Sequence, residues 1–235
     1  MLYGLVGDAP DGFTLIGDGQ QSIYPGGYTL AEAGISVANR GVIMDVNYRN
    51  TAQILEFAHG VVAGSEFADI EGEIAKGERP AAVPRTGPEP VVGECISCAD
   101  HDHQLIARVR EVQRDVATGW GDIGVLASSS WDARRVERLL RSAGRPVAWL
   151  EDYDGSVVDA VKVGTIKRAK GLEFKQVCLA LVKADALRAG AAPEDGAERE
   201  RWELEHRELF VGMTRARDGL WVGVMTPGAC QCAYP

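Results

Sequence analysis

An α/β fold with a doubly wound, mainly parallel sheet is predicted by the order of segments in this chain. Short apolar runs rich in β-branched residues alternate with stretches of helical period along most of the 235 residues, the pattern that successive βαβ units produce. Apolar residues make up 46% of the chain and charged residues 25%. That is the balance of a soluble globular protein, with enough residues for one large or two small domains. No internal repeat is visible.

Met1 to Gly7 reads as the tail of a helix and Ala9-Pro-Asp-Gly12 as a turn. Phe13–Ile16 is a short buried strand. Gly17-Asp18 follows at its end, where a parallel sheet places its chemistry. Gly41–Val46 is the next strand. Asn50 caps the helix after it, with Gln53 three positions on, and Ile54, Leu55, Ala58, Val61 and Val62 form its apolar stripe. Tyr48 and Arg49 then stand in a loop at a strand's carboxyl end. Residues 66–90 are rich in Gly, Pro and charge and read as an irregular surface connection. Val91–Ile96 resumes a strand. Leu105, Val109, Val112 and Val116 recur at helical spacing, and Gly119 ends that helix. Asp122–Leu126 is a strand and Ser128–Ser130 supplies the next N-cap. Val136, Leu139, Leu140 and Ala143 mark a helix that Gly144 stops, and Val147–Leu150 is another strand. Val161, Val163 and Ile166, then the run 175–182, give two strands around a turn at Gly171. Ala184–Glu200 reads as a loop and Arg199–Thr214 as a helix with Glu and Arg at i,i+4. Gly219–Val224 closes the sheet.

The formal net charge is −9, so any grip on nucleic acid must be local, confined to one groove. The first residues carry no basic segment and no long apolar run follows. Neither leader nor membrane span is expected, and the expected location is cytoplasmic. There are five cysteines. Cys95-Ile-Ser-Cys98 has the spacing of a metal knuckle, with His101 and His103 close behind and Cys230 and Cys232 near the end. Cys95, however, reads as the end of a strand and the histidines as the start of a helix. Buried or incidental thiols in a reducing compartment, with no metal, are the expectation.

The chemistry concentrates in four stretches. In Val161–Phe174, Thr165, Lys167, Arg168 and Lys170 put a hydroxyl and three cations on one short loop, and Glu173 adds a carboxylate just beyond it. Such a loop can grip a phosphodiester backbone while the carboxylate accepts a ribose hydroxyl. The others are Leu15-Ile-Gly-Asp-Gly-Gln-Gln-Ser-Ile-Tyr24, Val46-Asn-Tyr-Arg-Asn-Thr51 and Glu208-Leu-Phe-Val-Gly-Met-Thr-Arg-Ala-Arg217. Taken in order, GDxxQSIY, NYR, T-x-x-x-K-G-L-E-F and VGMTRA resemble motifs III, IV, V and VI of the UvrD/Rep-like superfamily 1 DNA helicases, over residues 13–224.

That resemblance implies roles residue by residue. Gln21 contacts the γ-phosphate of ATP, and Tyr24 couples that contact to single-stranded DNA. Tyr48 stacks on the adenine, Arg49 reaches the γ-phosphate, and Glu173 binds the ribose hydroxyl. Thr165, Lys167 and Lys170 lie along the DNA backbone. Arg215 is the arginine finger that neutralises charge as the phosphoryl group leaves. Gln21, Arg49 and Arg215 are thus the catalytic set. Two positions depart from the pattern. Tyr24-Pro-Gly-Gly-Tyr28 lacks the usual arginine, and Tyr28 stands in for the base-stacking aromatic. Lys167 stands where the family often has histidine.

No G-x-x-x-x-G-K-[ST] occurs, and no DExx box follows a strand. The phosphate-cradling lysine and the ligands for Mg²⁺ are therefore expected on the family's first motor domain. The resemblance makes residues 1–39 a remnant of that domain and residues 40–226 the second, RecA-like motor domain of P-loop NTPase type. No large accessory insertion is expected there, and residues 227–235 form a tail. The function implied is the C-terminal part of an ATP-dependent, 3′→5′ DNA helicase. Its cofactor is ATP with Mg²⁺, and its partners are single-stranded DNA and the first motor domain, in cis or in trans. Alone, the chain is expected to be inactive. The alternative is a non-catalytic module that binds nucleic acid or a partner chain without using ATP.

Overall fold

In the computed structural model, the described residues are 14, 46–62, 82–187 and 192–229, with the backbone of 66–68 and 74–76. The first strand, Gln21, Tyr24, Tyr28, Cys230, Cys232 and the run leading up to Val46 lie outside them. The described elements are α1 (Ala52–Val62), β1 (Glu66–Ala68), β2 (Ile74–Lys76), β3 (Val91–Cys95), α2 (Cys98–Gln113), β4 (Ile123–Ala127), α3 (Ser130–Ser142), β5 (Val147–Trp149), β6 (Val161–Thr165), β7 (Phe174–Lys183), α4 (Gly196–Met213) and β8 (Ala216–Met225). Short 3₁₀ turns cover Trp120–Asp122 and Leu150–Asp152.

Among the described residues, six strands form one sheet in the order β3-β8-β7-β4-β6-β5. Every neighbouring pair in it is parallel, as the alternation of strands and helices predicts. Side chains alternate between the faces. Leu126, Leu179, Leu220 and Val222 pack under α1 and α4. Val125, Ala127, Val163, Cys178 and Trp221 pack under α2 and α3. Each fully buried aliphatic side chain contributes about 1.5–3 kcal/mol, so this three-layer packing outweighs the low helix propensity of any one segment. Gly212 lets α4 lie close to the sheet, because a Cβ there would come within 3.0 Å of Leu179 and 3.1 Å of Ile166.

Several boundaries differ from the sequence reading, each for a local reason. Thr51 rather than Asn50 caps α1, its hydroxyl accepting from the Ile54 amide at 3.4 Å. Helix α2 stops at Gln113, leaving Val116 exposed. Asp115 turns the chain there by accepting from the Ala117 amide and the Thr118 hydroxyl. Helix α4 starts three residues early because the Asp195 carboxylate caps the amides of Ala197 and Glu198. Ser129 caps α3, as expected. The connection expected to be irregular contains the antiparallel pair β1–β2.

The connection from β6 to β7 positions the site. It has only the residues 166–173 in which to return from one edge of the sheet to the other, where parallel connections usually need a dozen or more. Ile166 and Ala169 are buried against the α1/α4 face. Tight turn bonds hold the rest: the Ala169 amide donates to Thr165 and the Leu172 amide to Ala169. Gly171 has φ +88°, a left-handed conformation that glycine adopts without steric cost.

Strand β7 carries a bulge between Leu179 and Val182, where Leu181 has φ +57°. The Leu181 amide, displaced from the ladder, donates to Nε2 of the fully buried His101 at 3.1 Å. The other ring nitrogen therefore carries the proton and faces Asp102 at 3.3 Å. Asp102 in turn holds both terminal nitrogens of Arg135 at 2.7 Å. Burial keeps the His101 imidazole below its ordinary value despite the upward pull of Asp102. Both nitrogens of His101 are thus engaged within the protein. Of the cysteines expected as thiols, Cys95 and Cys178 are free and buried; burial pushes them up to about 11 and about 12. Cys98 is disulfide-bonded, which corrects that expectation. Among the described residues, no helix is long and apolar enough to cross a membrane.

The neutral His101 gives a pH prediction. Its folded-state value lies below its unfolded one, so its contribution is fully present above about pH 6.5 and is lost as the pH falls through the folded value. Urea midpoints at pH 7.5 and 5.5 should show the wild type losing more stability on acidification than His101→Ala. Parallel losses in the two proteins would refute this role.

Candidate functional site

The loop after Val46 is built by Asn47. Val46 bridges to Ala82, and the Asn47 amide donates to the Ala82 carbonyl at 3.0 Å. The Asn47 side-chain oxygen accepts from the amides of Arg49 and Asn50, each at 3.0 Å, an Asx turn. Tyr48 is left 72% exposed at the tip. Asn50 points inward and is buried. Its amide group donates to the carbonyls of Thr214 and Ala216 at 3.0 and 2.6 Å, which flank Arg215. Arg85 clamps the same ensemble, donating to the carbonyls of Arg49 and Arg217 and pairing with Asp218 at 2.5 Å. Burial pushes the Asp218 carboxyl up, but Arg217 and Arg85 hold it below the usual carboxylate range.

Three of the predicted nucleotide residues meet at the amino ends of β7 and β8. Arg49 Nε lies 3.1 Å from Glu173 Oε2, both side chains about half exposed. The Phe174 amide donates to the Arg215 carbonyl at 2.9 Å. The Arg215 side chain, however, is only 1% exposed. Its Nε donates to the Val211 carbonyl at 3.1 Å, Nη1 to the Leu172 carbonyl at 3.4 Å and Nη2 to the Thr214 hydroxyl at 3.4 Å. The guanidinium thus donates into the turn that carries it and to Leu172. Arg49 instead has a half-exposed partner in Glu173.

Thr165, Lys167 and Lys170 gather elsewhere. With Arg168 and Glu151 they line a groove of about 450 Å³. Thr165 ends β6 opposite Ala127, the last residue of β4, whereas Gln176 near the start of β7 lies opposite Ile123, the first. The groove is therefore at the carboxyl edge of the sheet and the Arg49–Glu173 pair at the amino edge. Four steps of β4 separate them, about 13 Å. Arg168 anchors the groove through the Leu150 carbonyl at 3.0 Å, and the Thr165 hydroxyl accepts from its amide at 3.2 Å. Lys167 Nζ lies 3.5 Å from Glu208 Oε2. Burial pushes the Glu208 carboxyl up, with Lys167 opposing it.

The comparisons with known proteins bear on the fold and on part of the chain. Residues 147–226 match the model of the UvrD-like helicase C-terminal domain. The matched span runs from β5 to just past β8 and so takes in the Thr165 groove, Glu173 and Arg215. A solved structure described as the C-terminal domain of a possible DNA helicase from Lactobacillus plantarum superposes with a TM-score of 0.53 at 18% identity. The superposition covers 76% of this chain and 88% of that one, and at that identity it shows the fold alone. No curated protein matches the chain.

Sequence reasoning missed the residues that assemble the loops of the site. Asn50 reads as a helix cap because Asn is a favoured capping residue, yet its side chain reaches a turn 164 positions away. Arg85 lies in the stretch taken as irregular. Glu208 was quoted only as the start of a motif. Removing the Asn50 amide leaves two buried carbonyls without a donor, at a cost of about 1–3 kcal/mol. Asn50→Ala should lower the unfolding free energy by that amount, read as a lower urea midpoint at an unchanged slope. Asn50→Asp, which sets an acceptor against acceptors, should lower it at least as far. Unaltered midpoints in both would remove this role.

Proposed function

We propose that the chain is the C-terminal part of an ATP-dependent DNA helicase or translocase, moving 3′→5′ on single strands and acting in the cytoplasm. It supplies one wall of a nucleotide cleft and part of the track for DNA. The observation that carries this reading is the division of the motif residues into two clusters. Groups suited to a nucleotide stand at one edge of the sheet, and cations suited to a phosphodiester strand stand at the other. The short 166–173 connection links them.

The residues at the amino edge fit ATP unequally. Tyr48 offers an open ring for a base, Glu173 an acceptor for a ribose hydroxyl, and Arg49 a forked cation for a phosphate. Arg215 is buried and donates to Val211, Leu172 and Thr214, so a phosphate reaches it only if these bonds give way. The chain has no phosphate-cradling lysine motif, so that wall and the ligands for Mg²⁺ are assigned to a first motor domain, in cis or in trans. Residues 40–226 are read as the second motor domain and residues 1–39 as belonging to the first.

The burial of Arg215 favours a second reading as well, in which the domain binds nucleic acid or a partner without using ATP. Two measurements separate the readings. The purified chain should show no DNA-stimulated ATP hydrolysis, and turnover abolished by Arg215→Ala would contradict that. Adding a first motor domain that carries the Walker motifs should restore turnover, with Glu173→Ala raising the KM for ATP. No turnover in that mixture would leave the binding-only reading. In either case Lys170→Ala should weaken single-strand binding and flatten its dependence on log salt by about 0.7.

A further inference from the structure

Helix α3 carries a feature that no part of the site above uses. Residues 130–145 hold five arginines against Asp132 and Glu137, in a chain whose formal net charge is −9. Ala133, Val136 and Leu140 face the core. The opposite side presents Trp131, Arg134, Arg138 and Arg141 at spacings of three, four and three residues, a single stripe along the helix. All four are exposed, the Trp131 indole by 67%. A large aromatic so open to water, among cations, is more informative than a scattered surface aliphatic.

The stripe is also held in place. Glu137 lies beneath it and pairs with Arg134 at 2.8 Å and Arg141 at 3.0 Å. Arg134 stacks its guanidinium 3.8 Å from the centre of the Trp149 ring. Arg138 makes no hydrogen bond or ion pair among the described residues, leaving its donors to solvent. Glu137 neutralises one of the three charges, so a net excess of two remains on a surface about 10 Å long at 1.5 Å rise per residue.

The stripe adjoins the groove. Helix α3 follows β4, whose last residue, Ala127, pairs with Thr165, and the Ile166 amide donates to the Ala127 carbonyl at 2.9 Å. Trp149, which Arg134 covers, leads directly into Leu150 and Glu151. Glu151 lines the groove, and the Leu150 carbonyl receives Arg168. Cations therefore pass from Lys170, Lys167 and Arg168 to Arg134 over Trp149 at the carboxyl edge, and Arg138 and Arg141 continue the stripe along α3, which runs back toward the start of β5.

We propose that this stripe is a second contact for single-stranded nucleic acid, taking up a strand as it leaves the Thr165 groove. The arginines meet its phosphates and Trp131 stacks on an unpaired base. The inference rests on the nucleic-acid reading of the groove. An unpaired strand fits better than a duplex because the indole needs a free base face, whereas phosphate contacts alone would serve either.

The test uses the whole chain and fluorescence anisotropy with labelled oligothymidylates of about 4 and about 16 nucleotides, a hairpin duplex and a polyglutamate control. Circular dichroism first confirms that the variants fold. On the long strand, Trp131→Ala should weaken binding about fivefold or more. Arg138→Ala should weaken it and lower the slope against log salt by about 0.7. The short strand, which fills only the groove, should respond to Lys170→Ala and to neither stripe variant. If both stripe variants bind the long strand like wild type while Lys170→Ala weakens it, the stripe is overturned and the groove reading survives. If wild type binds no strand, both fall. Equal losses on the duplex, or polyglutamate as the ligand that depends on Trp131, would also overturn the single-strand assignment.

Discussion

Everything in the site depends on the clasp that Asn50 makes across the chain. Its buried amide joins the loop after Val46 to the turn between α4 and β8, donating to carbonyls on both sides of Arg215. Neither segment is fixed alone. The first is shaped by its bridge to Ala82 and the Asx turn at Asn47; the second is the end of a helix, whose last carbonyls need partners from outside it. A side-chain amide is suited to the task because its two donors can answer two acceptors at once. Arg85 adds a charged clamp from a third segment. Arg49 and Glu173 come within 3.1 Å of each other as a consequence of this assembly.

The second constraint is the brevity of the β6–β7 connection. Eight residues cross the sheet, buried at Ile166 and Ala169 and turned at Gly171. Thr165 and Glu173 are thereby fixed at opposite edges with little slack between them. A displacement at the groove has few places to be absorbed before it reaches Glu173. Such a connection is a physical element that two sites can share, which is what coupling between them requires.

The fold was legible because the sheet is fully covered. Runs such as residues 123–127 and 177–182 must be apolar where both faces are packed, and a serine cap begins α3 while Gly144 follows its end. The four motif stretches stand out because their order is specific. What escaped the sequence were interactions whose partners are distant. Asn50 has the same appearance whether it caps its own helix or reaches position 214. Val116 keeps the helical period, but Asp115 has already turned the chain. The burial of Arg215 is likewise invisible locally, since it is decided by the carbonyls of Leu172 and Val211 and by how closely α4 approaches the sheet at Gly212. Gln21, Tyr24 and Tyr28 lie outside the described residues and receive no structural answer.

The two arginines of the amino edge differ in what it takes to move them. An exposed ion pair such as Arg49 with Glu173 is worth about 0–1 kcal/mol, so either member can exchange its partner for a ligand at small cost. Arg215 is enclosed, and each hydrogen bond from a charged group contributes about 1.5–3 kcal/mol. Freeing its guanidinium means giving up bonds to the carbonyls of Val211 and Leu172 and moving the turn that Asn50 holds. Arg49 is thus a group poised to answer a ligand directly, while Arg215 can answer only through a rearrangement of the turn between α4 and β8. If the domain works within a motor, a ligand of Arg215 must act on that turn. If it works without one, Arg215 is a structural residue that joins α4 to the start of β7. The carbonyl of Leu172, one residue before Glu173, accepts from Arg215 under either reading, so the position of Glu173 stays tied to that of the turn.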